Sequence, residues 1–409
     1  MTSGARVWHC GGIAYPWHTD GLVLHLAIGP DLVCLRVDRN DLSLHEISRL
    51  TLAAPVQYVW PHPHSNLLYV ACSNRPISKA DDLHLLATVV VDERDGTMRL
   101  LAQVPLPTRP IHLTLDPTAR HALVVYNAPA RITAHAIDAE GRAGEVLPQS
   151  PEPRVGVFPH QVLMLPSGEA AAMVVVARGN HAVPGRDEEP GSFEFLALDG
   201  ERLAHTASAA PGGGRGFGPR HLEFHPDGRW AAVSVERHNE LHIYAVVRDR
   251  FAEAPAFRVS TLDVPRADSH DQLCGTVHFH PSGRFLYVVN RHDTAVYGDG
   301  SVPSPLAGNN IAVFAFDADT GQPELLQHVP TESVHVRTFS FDASGELLVA
   351  ASILPALARR GDAVERVPAR LTFFRCAPDG RLSLARVQDM DNDRLNLFWS
   401  HLNGSVRGA

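Results

Sequence analysis

One short unit recurs along these 409 residues and leaves few folds open. Its clearest copy is Gly218–Val246, GPRHLEFHPDGRWAAVSVERHNELHIYAV. The run reads as a strand, a tight turn at His225-Pro226-Asp227-Gly228, a second strand, a polar turn and a third strand. Five more copies follow the same plan. They are PVQYVWPHPHSNLLYVACSN, turning at Pro63–Asn66, RPIHLTLDPTARHALVVYN, turning at Asp116–Ala119, and FPHQVLMLPSGEAAAMVVVARGN, turning at Pro166–Gly168. CGTVHFHPSGRFLYVVNRH turns at Pro281–Gly283, and in HVRTFSFDASGELLVAAS Ala343 takes the place of the turn proline.

The turns fall at positions 63, 117, 166, 226, 281 and 343, so the period is near fifty, with about four strand-like runs in each. Helical periodicity is almost absent. Four antiparallel strands cannot bury both their faces alone, so units of this kind stack radially around a channel as a β-propeller. Six hairpins are visible. The first fifty residues, with β-rich runs Leu22–Ile28 and Leu32–Val37 split by Gly29-Pro30-Asp31, supply strands for one more blade. The expectation is an all-β, seven-bladed propeller forming a single domain over residues 1–409, its N-terminal strands completing the last blade and hiding the ring's edges.

Three segments break the period and read as loop insertions: 179–217, 293–309 and 354–369. Each begins shortly after the second strand of a hairpin. The glycines Gly212–Gly214 after Pro211 would let the first insertion move as a lid.

Composition excludes several function classes. Lys and Arg total 36 against 45 Asp and Glu, a net charge of −9, and no basic run argues for nucleic acid as a partner. No run of 18 apolar residues suggests a membrane span. The first twenty residues lack a basic start followed by an apolar core, and five widely spaced cysteines (Cys10, Cys34, Cys72, Cys274 and Cys376) read as reduced thiols. A cytoplasmic protein is the expectation; its oligomeric state is left open.

Antiparallel pairing says where the polar residues gather. In each hairpin the turn lies at one face of the ring, and the start of strand one and end of strand two lie at the other. His160, Arg220 and Arg337 precede their turns by about seven residues; Glu236 and Arg291 follow theirs by eight. At about 3.3 Å per residue all five reach one rim, and His112 and His221 belong to the same layer. Arginine stays protonated, so Arg220, Arg291 and Arg337 clamp an anion or stabilise developing negative charge. Glu236 and His160 are the groups expected to move protons near pH 7. The set suits a small anionic substrate passing through an oxyanion or enolate-like state.

Twenty-four histidines invite a metal reading. His62 and His64, like His280, sit at turns on the opposite face. His278 and His280 could approach each other, but no carboxylate–histidine cluster with ligand spacing accompanies them. Neither a metal nor another cofactor is expected. Gly212–Gly216 opens no helix, so it is not a phosphate loop, and no Gly-x-Ser-x-Gly elbow supports a serine hydrolase.

At GPRHLEFHPDGR…VE, HFHPSGRFLYVVNR and VRTFSFDASGELLVAAS the chain resembles the bacterial lactonase family. That family includes cytoplasmic 6-phosphogluconolactonase and, distantly, fungal carboxymuconate lactonising enzyme. The similarity runs from about Val33 to Val387, with Gly218–Glu236 its most specific stretch. The resemblance implies a seven-bladed propeller and carries proposed functional positions onto His160, Arg220, Glu236 and Arg291. The family's Asn-Glu after strand two stands here as Val235-Glu236, and its Pro-Arg in the sixth repeat as Val336-Arg337.

Three functions follow from these residues taken with what the resemblance implies. The first is metal-independent hydrolysis of a sugar-acid lactone such as 6-phosphogluconolactone. Here His160, Arg220, Glu236 and Arg291 are catalytic, and His112, His221 and Arg337 bind substrate. The second is cycloisomerisation of a muconate-type dicarboxylate. The third is a non-enzymatic propeller that binds a ligand or a protein.

Overall fold

The computed structural model describes residues 21–75, 82–166, 171–263, 272–292, 304–390 and 395–404. Seven antiparallel sheets of four principal strands form a ring. From the channel outward, blade 1 is Val56–Pro61, Leu67–Ser73, His84–Val91 and Met98–Pro105. Blade 2 is Pro110–Leu115, His121–Asn127, Ala130–Ile137 and Ala143–Val146, and blade 3 is Pro159–Met164, Ala172–Ala177, Ser192–Asp199 and Arg202–Ala209. Blade 4 is Pro219–Phe224, Trp230–Val235, Glu240–Val247 and Phe257–Ser260, with a two-residue strand at Arg250–Phe251. Blade 5 is Gln272–Phe279, Phe285–His292, Asn310–Phe316 and Pro323–Pro330, and blade 6 is Val336–Phe341, Leu347–Ser352, Ala369–Cys376 and Leu382–Met390.

Blade 7 closes the ring. Its inner strand, Leu397–Gly404, comes from the C-terminal end, and Leu22–Ile28, Asp31–Val37 and Leu44–Thr51 supply the rest. The expectation that N-terminal strands complete the last blade holds. Three strands from one end of the described chain and one from the other pair into a single sheet and so join the ring's first and last blades.

The core lies between blades. Second strands such as Leu67–Ser73 and Leu347–Ser352 are buried on both faces, whereas outer strands such as Arg202–Ala209 alternate. Phe285, Tyr287 and Val289 of blade 5 pack against Phe339, Leu348 and Phe374 of blade 6, and each neighbouring pair builds a similar layer. The recurring His-Pro-x-Gly turn has a physical role here. His225 Nε2 donates to the Gly283 carbonyl of the next blade at 3.0 Å, and His280 Nε2 donates to Gly345 at 3.0 Å. Both glycines sit at positive φ, 73° and 76°, where a side chain would strain the backbone and strike the imidazole. Tyr69 and Tyr287 staple the other turn in the same way, each donating at 2.8 Å to the carbonyls of Gly141 and Gly380. The turn histidines His225 and His280 therefore join blades.

Two of the expected insertions are more ordered than their composition suggests. Residues 179–217 contain Ser192–Asp199 and Arg202–Ala209, the outer half of blade 3, so the departures are limited to the links before and after them. Residues 354–369 form a hairpin, Ala356–Arg360 with Ala363–Val367, rather than a loop. Ser304–Pro305 adds to it in parallel, and Leu306, Val334, Ala356, Ala358 and Val367 make its small core. Within 293–309, residues 293–303 lie outside those described, as do residues 167–168 of the third turn. The glycine run Gly212–Gly214 is tied to the preceding link: Gly191 N donates to Gly214 O at 2.9 Å, and Gly216 N donates to Glu188 at 2.6 Å. Gly216, just after the run, lines a side pocket together with Glu188.

Candidate functional site in the central channel

A ring of β-bulges defines the site. In every blade the pairing of the inner strand with its neighbour slips once, at the same height. The extra residues are Gln57, Ile111, His160, Arg220, the pair Gly275-Thr276, Arg337 and Phe398. A bulge leaves its residue out of the ladder and re-aims the side chain. Pro110, Pro159 and Pro219 stand directly before three of them. A proline has no N–H to give the ladder, so pairing is weak there already. His160, Arg220 and Arg337, chosen by counting back from turns, are three of these seven positions.

Below the ring the channel opens into a cavity lined by residues from all seven inner strands, among them His112, His160, Arg220, His221, His278 and Arg337. The imidazoles of His112, His160 and His221 are neutral. Burial first, then the charges of Arg220, Arg178 and Arg337, hold His160 well below the usual histidine value. Burial brings His112 down to about 3, and burial with His278 and Arg220 brings His221 well down. His160 Nδ1 and both ring nitrogens of His112 are buried without a hydrogen-bond partner among the described residues. His112 lies against Tyr58, with ring centroids 4.0 Å apart. Arg337 stacks on Phe398, its guanidinium carbon 3.7 Å from the ring centroid.

Glu236 and Arg291 are brought close to this group but do not line the cavity. Glu236 is 3% exposed and accepts from three arginines: Arg220 Nε at 2.8 Å, Arg291 Nη2 at 2.9 Å and Arg178 Nη1 at 2.9 Å. Burial alone would raise its carboxyl, yet Arg220, Arg178 and Arg291 outweigh burial and bring it down to about 2. The expectation that Glu236 moves protons near pH 7 is therefore corrected. It is a fixed anion that orients guanidiniums. Arg220 is lowered to about 9, by burial and then by Arg291 against the pull of Glu236, and still carries its charge at pH 7. Three guanidiniums share one carboxylate, and Arg291 Nε and Nη1 have no partner among the described residues. The cluster is anion-seeking.

Sequence reasoning missed two features. Arg178 directly follows the second strand of blade 3, much the position that Glu236 and Arg291 hold in blades 4 and 5. The hairpin is longer there and Arg178 lies ten residues past Gly168, so counting eight from the turn passed over it. The other is a buried dyad. His278 Nδ1 donates to Glu223 Oε2 at 2.8 Å, and Phe279 N donates to the same oxygen at 2.9 Å. A carboxylate between Leu222 and Phe224 in a fully buried strand needs a partner, and that was the available signal. Among the described residues no group of three potential ligands could hold a metal ion. Behind Glu236 a separate side pocket opens between the two links of blade 3, lined by Arg178, His181, Phe217 and His238.

A family model described as Lactonase, 7-bladed beta-propeller matches residues 28–353. The chain belongs to that family. The lactonase family is one of lactone-hydrolysing enzymes, and similar curated proteins carry matching names. The 6-phosphogluconolactonase of Erwinia tasmaniensis is 25% identical over 313 residues, covering 76% of this chain and 82% of that protein. The 6-phosphogluconolactonase of Bacillus subtilis is 25% identical over 319 residues, with the same coverage. Among solved structures, the periplasmic gluconolactonase of Pseudomonas aeruginosa has the same fold, with a TM-score of 0.69 at 19% identity, covering 90% of this chain and 97% of that one.

Proposed function

We propose that this lactonase hydrolyses the lactone of an anionic sugar acid, with 6-phosphogluconolactone the first substrate to test, in the central channel. The observation that carries the reading is the pairing of His160 and Arg220. They are bulge residues on adjacent inner strands, they line one cavity, and one is a neutral imidazole while the other is a charged guanidinium. The names of the relatives supply the reaction class, and the excess of guanidinium over carboxylate supplies the anionic substrate.

In this scheme His160 takes a proton from the attacking water. Arg220, held through Nε by Glu236, turns its terminal nitrogens to the lactone carbonyl and stabilises the tetrahedral oxyanion. Arg337, flat against Phe398, receives the distal anionic group. Arg291 and Arg178 keep Glu236 ionised and so keep Arg220 in place. His112 and His221 line the cavity where the sugar ring would lie, with Tyr58 offering an apolar face. No step calls for a metal. We place the protein in the cytoplasm, where the free thiols of Cys34, Cys72, Cys274 and Cys376 would stay reduced.

Proton release in a pH-stat tests the reading. Purified protein should hydrolyse 6-phosphogluconolactone well above its spontaneous rate, and faster than unphosphorylated gluconolactone. Hydrolysis of both at the spontaneous rate would remove the reading; preference for the uncharged lactone would remove the role given to Arg337.

A further inference from the structure

The buried Glu223–His278 dyad has the form of an oriented acid–base group. Glu223 is 1% exposed on the inner strand of blade 4, and His278 faces it from the inner strand of blade 5. Glu223 Oε2 accepts from both His278 Nδ1 and the Phe279 amide, so the carboxylate is locked before it meets the imidazole. That bond fixes the ring's tautomer and orientation and balances the charge of an imidazolium, which is what a carboxylate behind a catalytic histidine does. The ring is packed edge-on against Phe339 at 4.7 Å and His221 at 5.4 Å, leaving Nε2 for the cavity that His278 lines. A merely structural histidine would be expected to spend both nitrogens on the fold, as His135 does on Thr133 and Gly144.

Height in the channel separates His278 from the arginine tier. It lies two residues beyond the bulge at Gly275-Thr276, which at about 3.3 Å per residue is roughly 7 Å below the ring that carries Arg220 and Arg337. His160 sits among arginines, and His278 sits against the Glu223 carboxylate. Two groups in opposed environments divide into base and acid. His221, in contact with both surroundings, accepts from the Val277 amide through Nδ1 and so presents Nε2 as a donor between them.

We propose that His278, oriented by Glu223, is a further catalytic residue: the general acid that protonates the departing ring oxygen. This rests on the lactonase reading above. Water adds to the carbonyl carbon as its proton passes to His160. The tetrahedral intermediate collapses, the bond from the carbonyl carbon to the ring oxygen breaks, and His278 Nε2 gives that oxygen its proton. The product is a hydroxy acid that ionises to carboxylate and one proton. The proton on His160 returns to His278, directly or through solvent, and the cycle closes with no other reactant.

The test is the kinetics of His278→Ala, His278→Gln and Glu223→Gln on 6-phosphogluconolactone, with circular dichroism to confirm folding. His278→Ala should lose about 100-fold or more in kcat with little change in KM, and added imidazole should restore part of the rate. Glu223→Gln should move the alkaline limb of kcat to lower pH, because the imidazolium loses its carboxylate. The other titratable groups that line this cavity, namely His112 on blade 2, His160 on blade 3, Arg220 and His221 on blade 4, Arg337 on blade 6 and His401 on blade 7, are unchanged in that variant. If His278→Ala does not fold, His278→Gln supplies the kcat and Glu223→Gln the pH limb. Wild-type protein active with both His278 variants within about threefold of it, or an alkaline limb unmoved in Glu223→Gln, overturns the inference and spares the lactonase reading. Wild-type hydrolysis at the spontaneous rate overturns both.

Discussion

Replacing Glu236 by glutamine removes one negative charge from the centre of three guanidiniums and leaves its shape. The cost follows from the folded carboxyl lying at about 2 against an ordinary 4.5. That difference is worth about 3 kcal/mol at neutral pH, and it matches the 3–5 kcal/mol typical of breaking a buried ion pair. The sign is that of a depressed acid. The stabilisation is complete above pH 4.5 and is lost as the pH falls toward 2, and about 1.4 kcal/mol of it should be gone at pH 3.5. Reversible urea unfolding of the wild type and Glu236→Gln at pH 7, 5 and 3.5 measures this. The stability gap should be about 3 kcal/mol at pH 7 and narrow by about 1.4 kcal/mol at pH 3.5. A gap below about 1 kcal/mol at pH 7, or one that does not change with pH, would refute the view of Glu236 as the ionised anchor of Arg178, Arg220 and Arg291.

Three further outcomes are expected. Because burial and the arginines hold His160 well below its usual value, it stays unprotonated as pH falls through 6.5, and kcat/KM at pH 5.5 should remain within about twofold of pH 7; an acid limb centred near 6.5 in a pH-stat would contradict this. His225→Ala removes the staple to Gly283 at the face opposite the bulge ring, so the urea midpoint should fall by the equivalent of about 1–3 kcal/mol while kcat is unchanged. Dialysis against EDTA should leave the lactone hydrolysis rate unaltered, and loss of rate restored by a divalent cation would reject the metal-free scheme.

How much of this was legible in the sequence depends on what the physics repeats. Turn chemistry repeats, so His225–Gly228 and its five relatives revealed the blades, and counting from them brought His160, Arg220 and Arg337 to one height. Bulges do not disturb an apolar run in which nearly every residue is buried, so the ring that aims those side chains was hidden, apart from the prolines that precede three of its members. Glu236 looked like a base because a sequence shows one carboxylate near two or three arginines without showing that all of them bond to it. Glu223 and His278 lie 55 residues apart, and only the packing of adjacent inner strands joins them. The insertion 354–369 read as a loop because its Arg, Gly and Asp outweighed a short alternation of apolar residues that a five-residue hairpin needs.

The central claim is that the channel, rather than the side pocket behind Glu236, holds the substrate. A crystal structure of the protein with bound 6-phosphogluconate tests it most directly. The account predicts the product in the channel, its phosphate on Arg337 and its new carboxylate between Arg220 and His160. Product held by Arg178, His181 and His238 in the side pocket, with the channel empty, would contradict it.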